Sequence, residues 1–249
     1  MPNDELPGHD PALRPLPEPP PPLTPRTLPA AGQASERLVV DHGVVDTRPS
    51  RGLGALVIAL YWTTTAAVVL AAAAVFHRRS VIDRIMNGDL GGRRPRALDH
   101  EARALIGLSS WIELGLAVAS ALATACWCRR VIGNAQRAGV EGLHPNRAAI
   151  GWLIPLVWWY LGFEQLRTAL TAAGEDVRPL RTWQLSFTLA TVFAVLTRGN
   201  SGRFRDLAEL STRLDRQGLL ILGMAAILGV AAHTASQVVR MFDRAFSPG

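Results

Sequence analysis

Residues 52–76 read GLGALVIALYWTTTAAVVLAAAAVF, without a charged side chain. A helix rises about 1.5 Å per residue, so this run outreaches the roughly 30 Å hydrocarbon core of a bilayer. Two further blocks share its character. Residues 104–128 contain one charged group, Glu113, and residues 218–239 contain one ionisable group, His233. Apolar positions collect in blocks and charges fall between them, whereas a soluble core would interleave the two. The pattern predicts an all-α fold, a polytopic membrane helix bundle whose solvent is lipid.

The shorter blocks need separate treatment. Residues 182–197 lie between Arg181 and Arg198, with no Pro or Gly inside. Both Arg can extend toward the headgroups and lengthen the reach of the helix. This makes four expected transmembrane helices, at about 52–76, 106–128, 182–197 and 218–239. Residues 148–163 read AAIGWLIPLVWWYLGF; these sixteen uncharged residues cover only about 24 Å as a helix. Pro155 removes an internal hydrogen bond, and Trp152, Trp158, Trp159 and Tyr160 are side chains that favour the membrane interface. The expectation for 148–170 is a kinked, interfacial or re-entrant helical segment, and a tilted fifth span is its rival. The connection 78–103 carries both signs of charge, and Gly88, Gly91, Gly92 and Pro95 are expected to break any long helix there. Residues 204–214 read as an amphipathic lead-in to the last span, with Glu209 and Arg213 spaced i, i+4.

Outside this helical membrane domain, residues 51–241, stand two tails. Residues 1–50 hold eleven prolines before position 30, including Pro19–Pro22, and are expected to be disordered. They show no basic start followed by a short apolar core, so they do not read as a secretory signal. Residues 242–249 form a short polar tail.

Charge refines the picture. The net charge is +6 and all 26 basic residues are Arg. They are spread over every connection and form no single stripe, which suits lipid phosphates and argues against nucleic acid as a partner. In the four-span arrangement the two sides receive nearly equal numbers of Arg, so charge bias does not orient the chain. A cytoplasmic N-terminus is expected because the Pro-rich tail lacks an export signal, which makes the chain a multi-pass protein of the cell membrane with lipid, other membrane proteins or itself as partners. Cys126 and Cys128 fit neither a disulfide framework nor a zinc site and read as small apolar filler.

Three groups of residues could carry chemistry. If the second span continues helically, Arg130, Asn134 and Arg137 share a face that could meet anionic headgroups or a phosphorylated ligand, although solvated helix-end Arg is the simpler reading. The aromatic set around Trp152 could line a groove, with interfacial anchoring as the simpler reading. Glu113 and His233 are intramembrane ionisable groups, a functional hypothesis by default. In the four-span arrangement they lie in opposite halves and are not expected to touch. No phosphate loop, His-Glu-x-x-His or nucleophile elbow is present, and no metal, cofactor or catalytic residue is expected.

Residues 127–170 resemble the central region of the bacterial membrane family catalogued as domain of unknown function 4328. The likeness rests on Trp127, Arg129, Arg130, Asn134, Ala135 and Gly139, then on Gly151, Trp152, Ile154 and Pro155, then on Phe163 and Arg167. The family often has Asn at the position of Trp158, Pro at Gly162, an acid at Thr168 and Trp at Leu170. The resemblance implies four spans and no activity. Pro155 and Arg167 stand with Arg130, Asn134, Arg137 and Trp152 as the candidate ligand or lipid-headgroup residues. The leading expectation is a non-enzymatic scaffold, assembly or sensing component. A small transporter or channel subunit using Glu113 and His233 is the alternative.

Overall fold

A computed structural model describes residues 50–89, 91–92, 94–154, 158–198 and 206–246, without the side chains of 158–160 and 198. The Pro-rich tail up to residue 49, Pro155 and the end of the polar tail, 247–249, lie outside the described residues. Six helices follow one another: α1 Arg51–Met86, α2 Pro95–Arg137, α3 Pro145–Leu153, α4 Trp158–Ala172, α5 Arg178–Arg198 and α6 Leu207–Phe246. The described residues form no strand. Helices α1, α2 and α6 are long and apolar enough to cross a membrane.

These three helices overrun their apolar blocks, which corrects the expected loop at 78–103. Helix α1 continues to Met86 because Val81 and Ile82 still face inward and are buried. The reversal is confined to a short turn in which Gly88, Gly91 and Gly92 adopt φ of 73°, 52° and 79°, a region that favours glycine. Pro95 starts α2 at its first turn, where its missing N–H costs nothing, and breaks no helix.

Helices α1 and α6 form the central antiparallel pair, with α2 against α1 and α5 against α6. Glycine allows the close approach at both ends of that pair. A Cβ at Gly54 would stand 2.5 Å from Val239 Cγ1, and one at Gly218 would stand 2.6 Å from Phe76 Cζ. Helices α2 and α5 stand apart along most of their length and meet through the rings of Trp127 and Trp183.

The segment 148–170 is two helices and not one kinked or tilted rod. Ile154 leaves α3 with extended dihedrals, φ −105° and ψ 108°, and α4 packs back on α3. A Cβ at Gly151 would lie 2.8 Å from the Gly162 nitrogen, so the two glycines set the distance between the helices. Their 9 and 15 residues reach about 14 and 22 Å, short of a crossing.

This helix pair wedges an aromatic core into one end of the bundle. Trp183 is fully buried at its centre. Trp152 stacks on it at 5.3 Å, Phe163 meets it edge-on at 5.2 Å, and Tyr61 and Trp127 approach at 5.9 and 6.4 Å. Phe242 closes the set against Trp127 at 5.5 Å. Edge-to-face rings add about 0.5–1.5 kcal/mol per pair beyond their area. Trp152, expected at the interface, is only 3% exposed. Its amphipathic ring is better accommodated by Trp183 and Phe163 than by headgroups. The opposite end has a smaller-residue core of Val68, Ala72, Val75, Ile82, Leu214 and Met224.

Candidate functional site

A cavity of about 280 Å³ lies where α2 and α5 stand apart. Its walls come from α1 (Tyr61, Thr64), α2 (Glu113, Ala117, Ser120), α5 (Phe187, Thr191) and α6 (Met224, Leu228), with Trp152 at one end. The hydroxyls are committed largely to their own helices. Thr64 donates to the Leu60 carbonyl at 2.8 Å and sits 3.2 Å from Ser120 Oγ, and Thr191 donates to the Phe187 carbonyl at 3.0 Å. Thr63 and Thr65 likewise return their hydroxyls to the Ala59 and Tyr61 carbonyls, at 2.8 and 2.9 Å. Glu113 supplies the one carboxyl group among the lining residues. Counted along α2, it stands about 15 Å from the level of Arg103 and about 24 Å from that of Arg129.

His233 belongs elsewhere. It is exposed on the outer face of α6, with Nε2 3.1 Å from Gln237 Nε2. His233 does not line the cavity that Glu113 lines.

A second cleft, of about 610 Å³, opens where the end of α2 meets the start of α3. Cys126, Arg129, Arg130, Gly133, Gln136 and Arg137 line it from α2, Pro145 and Asn146 from α3, and Leu53 from α1. The expected Arg130–Asn134–Arg137 face is thereby divided. Arg130 and Arg137 reach the cleft, while Asn134 is 1% exposed and lies with Val131, Ile132 and Ala135 on the packed side. Arg129 and Gln136 were missed. The signal was present in the steps 126, 129/130, 133 and 136/137, one helical stripe whose middle is the side-chain-free Gly133. Arg167 does not line this cleft and pairs with Glu164 at 2.7 Å.

The far end of the bundle holds its Arg differently. Arg78 Nε meets Asp99 Oδ1 at 3.1 Å, and Arg103 meets Asp99 Oδ2 at 2.6 Å. Arg79 pairs with Asp83 at 3.5 Å and with Asp215 at 3.0 Å, while Ser211 donates to Asp83 at 2.8 Å. Partial burial alone would raise the pKa of Asp99. Hydrogen bonds from Arg103 and Arg78 outweigh it and hold the carboxyl below its ordinary range.

No family model, curated protein or solved structure matches the chain. Its chemistry is therefore read from the two recesses alone.

Proposed function

We propose that the chain is a non-enzymatic membrane protein that senses or scaffolds by holding a membrane-dissolved amphiphile in the cavity between α2 and α5. The ligand's apolar body lies along Ala117, Phe187, Met224 and Leu228, and its hydroxyl or amino head meets Glu113. The observation that carries this reading is a carboxyl group, deep in a span, set in a largely apolar recess where two helices stand apart. Ligand sites are commonly apolar recesses with few polar groups, and intramembrane acids usually mark function.

The reading includes four crossings by α1, α2, α5 and α6, with α3 and α4 returning to the side they entered. The Ser50 to Asp243 hydrogen bond of 3.0 Å supports both ends of this domain lying on one side. We place that side in the cytoplasm of a bacterial cell membrane, with a disordered Pro-rich tail and kinship to the family named above. Proteolytic accessibility of a tag at either terminus in sealed vesicles tests the sidedness.

Binding is tested by native mass spectrometry of the purified protein with dodecylamine, dodecanol and dodecanoate. The expected order of retention is amine, alcohol, carboxylate, at least tenfold weaker in Glu113→Gln for the amine and in Ala117→Phe for all three. Equal retention by the wild type and both variants overturns the reading. The depth of Glu113 favours one second reading, a small transporter, for which proton flux into liposomes would depend on Glu113 while ligand retention would not.

A further inference from the structure

The cavity between α2 and α5 holds a second polar station, and the amphiphile reading uses only the first. Glu113 and Ser120 both line it from α2. They stand seven residues apart, which is two turns and about 10 Å along one helix face. Between them that face carries Ala117, whose short side chain leaves open the space a larger residue would fill. Across the space the walls are Phe187, Ala190, Met224 and Leu228, all apolar. The ring of Trp152 bounds the cavity at the Ser120 end, 5.9 Å from that of Phe187.

Counting protons settles what the Ser120 end offers. Thr64 has a single hydroxyl proton, and its shorter contact, 2.8 Å to the Leu60 carbonyl, takes it. The 3.2 Å contact between Thr64 and Ser120 is then made by the Ser120 proton. Neither hydroxyl keeps a proton for a ligand, and both oxygens keep lone pairs. The pair therefore accepts. Thr191, on the α5 wall, likewise spends its proton on the Phe187 carbonyl. At the other end Glu113 already interacts within the chain. A carboxyl group has about four acceptor positions, so it can serve a ligand as well. Two acceptors thus face one apolar space from opposite ends.

We propose, resting on the amphiphile reading, that the ligand is polar at both ends: a chain with an amine at Glu113 and a hydroxyl that donates to the Thr64–Ser120 pair. An extended alkyl chain with bonds near 1.5 Å advances about 1.25 Å per bond, so about eight carbons match the two stations. A hydroxyl carried into the cavity weakens binding where it meets only hydrocarbon and strengthens it where an acceptor waits.

The test is native mass spectrometry of the full chain with two pairs of compounds: octylamine and its terminal amino alcohol, then dodecylamine and its terminal amino alcohol. The added hydroxyl makes either compound less hydrophobic, so partition alone favours the plain amine in both pairs. Wild type is expected to retain the eight-carbon amino alcohol at least threefold better than octylamine. The preference is expected to vanish in the twelve-carbon pair, whose chain overshoots Ser120. Ser120→Ala removes one acceptor with little change of shape. It is expected to retain octylamine within twofold of wild type and to lose the preference. Glu113→Gln is expected to weaken both eight-carbon compounds at least tenfold. The proposal is overturned if wild type retains octylamine as well as its amino alcohol, if the twelve-carbon pair shows the same preference, or if Ser120→Ala keeps it. Glu113-dependent retention of octylamine without that preference sinks the second station alone, whereas a wild type that retains no amine sinks the amphiphile reading with it.

Discussion

The two ends of the bundle use the same cation in opposite ways. At the end joining α1 to α2 and α5 to α6, Asp99, Asp83 and Asp215 meet Arg78, Arg79 and Arg103 from within the chain. At the other end, Arg129, Arg130 and Arg137 surround a cleft without a carboxylate in its lining. Packing differs with charge. The ion-paired end rests on Ala, Val and Leu, and the acid-free end rests on Trp127, Trp152, Trp183, Phe163 and Phe242. The paired end joins its helices partly by polar contacts. The cleft end is held by aromatic burial.

That contrast can be broken first at the aromatic core. Trp183→Ala removes a fully buried ring with four ring neighbours among the described residues and is expected to cost about 3–5 kcal/mol, read as loss of thermal stability in detergent. A loss below about 1 kcal/mol would mean the cleft end is not held by its rings. Next comes the α1–α6 crossing, which belongs to both ends. Gly54→Leu drives a side chain into Val239 and is expected to cost about 1–3 kcal/mol by the same measurement.

The paired end has a smaller and pH-dependent share. Asp99→Asn is expected to cost about 1 kcal/mol at neutral pH. The Asp99 carboxyl is held below its ordinary value of 3.8, so its stabilisation is complete above that value and fades as pH falls through the lower, folded one. Melting temperatures of the wild type and Asp99→Asn should therefore differ at pH 7 and converge in strong acid. A difference that persists there would assign the effect to shape and not charge.

Hydropathy made the helical blocks of α1, α2 and α6 legible, because lipid demands long uncharged runs. It hid their extensions. Arg78, Arg79 and Asp83 read as loop residues, yet Val81 and Ile82 keep α1 helical while those charges turn toward Asp99, Asp215 and Ser211. Their partners lie twenty to more than a hundred residues away, and local pattern carries no trace of such pairing. Trp152 was misplaced for a similar reason. Ring type suggests an interface, and only the fold-back at Ile154 and the Gly151–Gly162 approach bring it onto Trp183. At the candidate sites, Glu113, Arg130 and Arg137 were visible as charges beside or inside apolar runs. The separation of Asn134 from that set depends on which face α3 covers, and the Thr64–Ser120 contact needs two helices in register.

The most direct measurement compares thermal unfolding of Trp183→Ala with that of Arg78→Gln plus Arg79→Gln in detergent at low and at high salt. The ring variant is expected to lose the larger share of stability, and to lose it at both salt concentrations. The charge pair is expected to lose less, and its difference from the wild type is expected to shrink as salt screens the ion pairs. Equal losses for the two variants, or a charge-pair loss that salt leaves unchanged, would contradict the division between the two ends.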